Sequence, residues 1–116
     1  MNNAAISASD LASKHCQPCA KGAPALESER AKQLLATLPG WSSDVRSISK
    51  TFAFENYHQT IAFVNASAWV SHREDHHPDL EVGYNKCVVR YSTHSVNGLS
   101  ENDFICAARL EALTAM

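Results

Sequence analysis

Apolar residues recur at helical spacing in three stretches of the chain. Each stretch begins with a residue type that caps helices, and the first is followed by a proline–glycine pair that ends a helix. The sequence therefore predicts three helices. They are ESERAKQLLATLPG, capped by Ser28 and ended by Pro39-Gly40; residues 57 to 72, capped by Asn56; and LSENDFICAARLEAL, capped by an S-x-x-D pattern at Ser100 and Asp103.

Alternating apolar and polar residues between these helices predict four strands. WSSDV and SISKTFAF form one pair, in which Ile48, Phe52 and Phe54 share a face. LEVGYNKCVVRYSTH predicts a hairpin that turns at Asn85-Lys86. The fold class is thus α+β, an antiparallel four-stranded sheet with helices packed on one face, the strand-strand-helix unit occurring twice after an N-terminal helix. In the last strand the predicted core residues are Cys87, Val89, Tyr91 and Thr93.

The second predicted helix is apolar around much of its circumference. Ile61, Val64 and Ala68 form the stripe expected to face the sheet. A helix with further apolar positions is covered on more than one side, so we expect self-association as a dimer or tetramer. The additional apolar residues are Ala62, Phe63, Ala66, Trp69 and Val70.

The composition indicates one small domain, because 116 residues with 45% hydrophobic content can bury a single modest core. Ten basic and twelve acidic residues argue against a general nucleic-acid surface. No apolar run approaches the roughly 18 to 20 residues of a membrane span. No signal peptide is visible, so we expect a cytoplasmic protein with reduced cysteines. Residues 1–24 predict a loose leader before a domain spanning 25–116.

The candidate chemistry lies in the segment HREDHHPDLEVGY, which holds three histidines within six residues. His76 and His77 adjoin Pro78, and a residue before proline is held extended. The predicted hairpin places His94 opposite His77, so three imidazoles should meet at its open end. Clustered imidazoles suit proton donation and acceptance near neutral pH.

The histidine cluster also fits two hypotheses without proton transfer. The first is a chance meeting of surface side chains. The second is a metal site, since His72 and His76 are four residues apart and would share a helix face. His15, Cys16 and Cys19 offer a separate candidate, although closed zinc sites usually show two C-x-x-C pairs.

The spacing of these residues resembles the pterin-4a-carbinolamine dehydratase family, also called 4a-hydroxytetrahydrobiopterin dehydratases. The segments LPGW, YNK, STH and GLSENDF resemble the family too, and the similarity covers about residues 26 to 113. HCQPCAKGAP resembles an extension of some proteobacterial members. Many members carry an acidic residue where this chain has His72. The residues that fit the family pattern are His72, His76-His77-Pro78, Tyr84, His94 and Asp103.

The resemblance implies dehydration of 4a-hydroxytetrahydropterin to quinonoid dihydropterin, which regenerates the cofactor of aromatic amino acid hydroxylases. It implies that His76 is the acid at the 4a-hydroxyl, that His94 is its proton-transfer counterpart and that His77 orients the pterin. No cofactor or metal is expected. The residues implied to bind the substrate are Pro78, Thr93, Ser95, Trp41 and Asp103.

Two of these residues could instead serve the fold. Trp41 could be an ordinary core tryptophan. Asp103 could cap the last helix. It could instead orient an imidazole and stabilise its positive charge, or it could serve both roles. Some members of the family also bind a transcription factor through a helical face, and nothing in this chain selects that role.

Overall fold

The computed structural model describes residues 6–115 and has the predicted α+β class. One short helix precedes the predicted order of elements, and a short 3-10 helix precedes the last one. The elements are α1 Ala8–Ala12, α2 Ser28–Leu35, β1 Ser42–Ser43, β2 Ile48–Ala53, α3 Tyr57–Glu74, β3 Asp79–Val82, β4 Lys86–Tyr91, the 3-10 helix His94–Val96 and α4 Glu101–Thr114.

The four strands form one antiparallel sheet in the order β1-β2-β4-β3. The two long strands lie at its centre, where Ile48 pairs with Tyr91 and Phe52 pairs with Cys87. These four side chains and Val89 are buried in the core. The predicted core faces of the central strands are therefore confirmed.

The hairpin between β3 and β4 turns one residue earlier than predicted. Tyr84 and Asn85 occupy the turn, which the N–H of Gly83 closes by donating to the carbonyl oxygen of Lys86 at 2.8 Å. Moving the turn by one residue shifts the pairing of the two strands by two. The turn predicted at Asn85-Lys86 is therefore wrong.

Contacts from other elements hold this turn. The N–H of Phe54 donates to the carbonyl oxygen of Asn85 at 2.8 Å. The hydroxyl of Thr60 donates to the carbonyl oxygen of Tyr84 at 2.9 Å. Both donors lie outside the hairpin, so the apolar–polar alternation within the hairpin could not predict these two hydrogen bonds.

The helix ends differ from the prediction at two places. The N-cap of α2 is Glu27, which makes no capping bond, and Ser28 is already helical, so the predicted Ser28 cap is wrong. The side chain of Asn56 accepts the N–H of Gln59 at 2.9 Å, which confirms the cap of α3. That helix continues two residues past its predicted end and stops where Asp75 adopts a left-handed conformation.

The face of α3 that packs inward is more polar than predicted. Of the predicted stripe, Ile61 and Val64 are half-buried and Ala68 is exposed. The hydroxyl of Thr60 donates to Tyr84 and that of Ser67 to the carbonyl oxygen of Val64, so both residues are buried without an unmet hydrogen bond. The buried residues of α3 are Thr60, Phe63, Ser67, Val70 and Glu74.

The N-terminal segment is not loose where the structure describes it. α1 packs against α4, and its Leu11 is fully buried in the core. With α1 and α3 packed against it, α4 has residues 102–108 all buried. The expectation of a loose leader is therefore wrong for α1, while residues 1–5 lie outside the described residues.

Cys87 and Cys106 are fully buried free thiols, and the predicted core position of Cys87 is confirmed. Burial raises the pKa of the Cys87 thiol. Cys16 is also a free thiol, with its Sγ 3.5 Å from the Sγ of Cys106. Among residues 6–115, no helix is long and apolar enough to cross a membrane.

Candidate active site

A cavity of about 310 Å³ lies at the open end of the β3–β4 hairpin. His76, His77 and His94 all line this cavity, here called the histidine cavity, so the structure brings the three predicted histidines together. Its volume suits a small molecule. The other lining residues are Asp75, Asp79, Arg90, Ser92, Thr93 and Ser95.

The backbone positions that bring the histidines together differ from the predicted ones. Because Asp75 ends α3, His76 leaves the helix axis, and its N–H bonds back to the carbonyl oxygen of Ser71 at 3.2 Å. His94 does not continue β4 but begins the 3-10 helix, where it is exposed. The predicted pairing of His94 with His77 across the hairpin is wrong, and the two residues share the cavity instead.

A buried carboxylate holds His76 in place. Asp103 is fully buried at the start of α4, and its Oδ1 lies 2.7 Å from Nε2 of His76. Its Oδ2 accepts the hydroxyl of Thr93 at 2.8 Å and the backbone N–H of Ser100 at 2.9 Å. Asp103 therefore both caps α4 and contacts an imidazole.

The ring of Tyr91 supports His76 from the core side. The two rings are stacked, with centroids 5.9 Å apart and planes 10° from parallel. Burial raises the pKa of the Tyr91 hydroxyl, as do the nearby Cys106, Cys16 and Asp103, so the hydroxyl stays protonated. It has no hydrogen-bond partner among residues 6–115. Tyr91 thus serves as a stacking surface.

Two residues predicted to bind the substrate lie elsewhere. Trp41 is a core residue, only 6% exposed, that packs against Phe52 and Tyr91. Its indole N–H donates to Glu111 at 2.9 Å. Trp41 does not line the histidine cavity, so the expectation that it binds a substrate there is wrong. Pro78 lies next to the cavity rather than in its lining.

The metal-binding alternatives find no support in the described residues. His72 lies in the last turn of α3, whereas His76 follows the end of the helix, so the two do not share a helix face. Between residues 6 and 115, no group of three or more His, Cys, Asp or Glu side chains is placed to hold a metal ion. That range includes the predicted leader site at His15, Cys16 and Cys19.

The structure adds Asp79 and Arg90 to the predicted site. The two residues pair across β3 and β4, and both line the histidine cavity. Arg90 lies between the predicted core residues Val89 and Tyr91, so alternation places it on the opposite face of the strand. This is the signal by which it could have been found. Nothing in the sequence pattern marked Asp79, because its pairing with Arg90 depends on where the hairpin turns. That turn was predicted one residue too late.

The arrangement supports proton transfer. Since Asp103 engages Nε2 of His76, the other ring nitrogen, Nδ1, is the one available to a ligand. His77 and His94 line the same cavity, so one imidazole can donate a proton while another accepts one.

Comparison with known sequences identifies the family. The family model for pterin 4 alpha carbinolamine dehydratase matches residues 24–113. A relative from Nitrosospira multiformis is 59% identical over 104 residues, which cover 90% of this chain and 92% of the relative. One from Legionella pneumophila is 53% identical over 108 residues, covering 90% and 96%. Both carry the provisional name pterin-4-alpha-carbinolamine dehydratase. The chain belongs to this family.

Solved structures agree with the fold. A transcriptional coactivator/pterin dehydratase from Brucella melitensis is 28% identical with a TM-score of 0.74, covering 77% of this chain and 97% of that one. A pterin dehydratase-like protein, described as a RuBisCO assembly factor in the alpha-carboxysome, is 28% identical with a TM-score of 0.53, covering 63% and 84%. The first of these likenesses confirms the α+β fold over most of the chain.

Proposed function

We propose that this chain dehydrates 4a-hydroxytetrahydropterin to quinonoid dihydropterin and water. The observation that carries the proposal is the contact of 2.7 Å between His76 and Asp103, beside a cavity that His77 and His94 also line. Membership of the family and the names of the relatives support the same reaction. The chain would therefore be a hydro-lyase.

The proposed mechanism uses an acid and a base. Loss of water breaks the bond between C4a and its hydroxyl oxygen and removes the proton of N5, forming a double bond between C4a and N5. His76, its positive charge stabilised by Asp103, donates a proton from Nδ1 to the departing hydroxyl. His94 accepts the N5 proton, and His77 orients the ring. No electrons leave the substrate, so the step needs no redox cofactor.

The product defines the context that we propose. Quinonoid dihydropterin is the form from which a reductase regenerates the tetrahydropterin used by aromatic amino acid hydroxylases. We infer that the chain serves pterin recycling beside such a hydroxylase, in the cytoplasm and as a dimer or tetramer. Thr93 and Ser95 line the histidine cavity and would contact the pterin.

The test is the decay of freshly generated 4a-hydroxytetrahydropterin, followed by stopped flow with and without the protein. We expect the protein to accelerate the decay equally before and after treatment with EDTA, because free imidazoles perform the chemistry. Activity that EDTA removes and zinc restores would contradict this mechanism. A folded protein that does not accelerate the decay would leave the alternative of a non-catalytic interaction module.

A further inference from the structure

Two free thiols lie in contact near the candidate active site, although they are far apart in the sequence. Cys16 belongs to the segment that follows α1, and its Sγ lies 3.5 Å from the Sγ of Cys106 on α4. The proposed mechanism uses neither thiol. The dehydration chemistry therefore does not explain why the fold brings these two sulfurs together.

Hydrogen bonds on both sides of its backbone hold Cys16 beside α4. The N–H of Cys16 donates to Oε1 of Glu74 at 2.7 Å. The N–H of Gln17 donates to Oδ1 of Asn102 at 2.9 Å, and Nδ2 of Asn102 donates to the carbonyl oxygen of Gln17 at 2.7 Å. Asn102 and Cys106 both belong to α4. These bonds therefore fix the position of one sulfur relative to the other.

The two thiols differ in their access to small molecules. Cys106 is fully buried, whereas Cys16 is half-buried and lines a cavity of about 450 Å³ that adjoins the histidine cavity at His76. The contact with Cys16 and burial raise the pKa of the Cys106 thiol. Because the thiolate is the form that attacks an oxidant, Cys16 is the thiol that reacts first.

We propose that a peroxide joins Cys16 and Cys106 in a disulfide and that this bond lowers the activity of the neighbouring site. The sulfur of Cys16 attacks one oxygen of hydrogen peroxide, the O–O bond breaks, and the other oxygen leaves as water. The sulfur of Cys106 then displaces the hydroxyl from the Cys16 sulfur, and its own proton completes a second water. Two electrons thus pass from the thiols to the peroxide.

The disulfide would pull on the residues that hold His76. Cys106 lies three residues after Asp103 on α4. Burial raises the pKa of the Tyr91 hydroxyl and both thiols raise it further, which places them near that ring. A disulfide needs sulfurs about 2 Å apart, so its formation draws them together by about 1.5 Å. The effect on rate rests on the proposed function, whereas the bond itself does not.

The experiment treats the reduced protein with hydrogen peroxide, blocks the remaining thiols and digests the product with trypsin. Two of the four thiols should be lost, and dithiothreitol should restore them. Residues 15–21 form one tryptic peptide that holds both Cys16 and Cys19. Fragmentation of the cross-linked peptide in the mass spectrometer therefore has to show which of the two is bonded to Cys106.

Dehydration kinetics on the same samples measure the effect on activity. A displacement of about 1 Å can lower a rate about a hundredfold, so we expect oxidation to lower kcat/KM at least about tenfold and dithiothreitol to restore it. Cys16→Ser removes the attacking sulfur and should keep its rate in peroxide. If this variant does not fold, Cys106→Ala replaces it. Cys19→Ser is the matched control, because it keeps both sulfurs of the pair and should respond as the wild type does.

The outcomes separate this inference from the proposed function. A wild type that keeps all four thiols in peroxide, or that joins Cys16 to Cys19, would overturn the inference. A cross-linked protein with the kcat/KM of the reduced form, or a Cys16→Ser protein that loses activity as the wild type does, would overturn it as well. A reduced wild type without dehydratase activity would overturn the proposed function, while the cross-linked peptide would still show whether the disulfide forms.

Discussion

His76 is held by one contact at a ring nitrogen and by another at its ring face. Asp103 contacts one ring nitrogen, and Tyr91 stacks on the ring face. The imidazole is thus oriented before a substrate arrives, which reduces what binding has to arrange. His77 and His94 lie on the exposed side of the same cavity.

The role of Asp103 can be tested by Asp103→Asn. The neutral amide keeps the shape of the side chain but does not stabilise a positive ring on His76 as a carboxylate does. We predict a loss of at least about tenfold in kcat/KM, roughly 1.4 kcal/mol of transition-state stabilisation. Steady-state dehydration kinetics measure it.

Ser100→Ala is the control for this variant, because it weakens the cap of α4 and leaves the contact between Asp103 and His76 in place. The alanine variant should lose stability without a comparable loss of rate. An Asp103→Asn protein that keeps the wild-type kcat/KM would show that the carboxylate serves only as a cap.

Among single residues, the sequence placed the three histidines together, and the family resemblance implied that Asp103 lies beside them. His76, His77 and His94 line one cavity, and Asp103 contacts His76. Trp41 was assigned wrongly because an aromatic residue type does not reveal which of its neighbours bury it. Its place in the core depends on the packing of distant strands.

Among the elements, α3 and the β3–β4 hairpin matter most for the site, because the histidine cavity lies where α3 ends and the hairpin opens. The sequence predicted the fold class and the central strands, because periodicity depends on local geometry. The turn at Tyr84-Asn85 and the packing of residues 6–19 depend on contacts with distant elements. Periodicity carries no information on such contacts, so both were missed.

The buried carboxylate of Glu74, which accepts the backbone N–H of Cys16 at 2.7 Å and lies 3.1 Å from Nδ1 of His15, predicts a pH-dependent stability. The folded state holds the pKa of Glu74 below its ordinary value of 4.5. A carboxylate with a lowered pKa stabilises the fold fully above its unfolded pKa, and this contribution is lost as pH falls through the folded pKa. The wild type should therefore melt above Glu74→Gln at neutral pH, and the difference should shrink below pH 4.5.

Thermal melts of the two proteins across the acid range measure this difference. Every other titrating group is common to both proteins, so most of their contributions cancel in the comparison. A difference in Tm that stays constant, or grows, as the pH falls below 4.5 would refute the stabilising role of the Glu74 carboxylate.

For the whole molecule, the outer face of α3 predicts association. Phe63 is buried in the core, so it does not face a partner. Ala62, Ala66 and Trp69 follow one another at helical spacing on the same helix, and Trp69 is 62% exposed. An apolar stripe left uncovered marks an interaction surface. We predict that the wild type is a dimer or tetramer and that Trp69→Glu weakens its assembly.

Sedimentation at micromolar concentration tests this prediction. Val45→Glu is the matched control, because Val45 is 91% exposed between β1 and β2, away from α3. The control should keep the wild-type oligomeric state. A monomeric wild type, or equal weakening by both substitutions, would rule out this face as the interface.

The most direct test of the proposed site is kcat/KM for carbinolamine dehydration in three folded histidine variants. General acid–base groups contribute about a hundred- to ten-thousand-fold. We predict losses of at least about tenfold for His76→Ala and His94→Ala, but a much smaller loss for His72→Ala, whose side chain lies outside the histidine cavity. Each variant is first shown to be folded by thermal melt. A folded His94→Ala protein that dehydrates the pterin at the wild-type rate would contradict the proposed site.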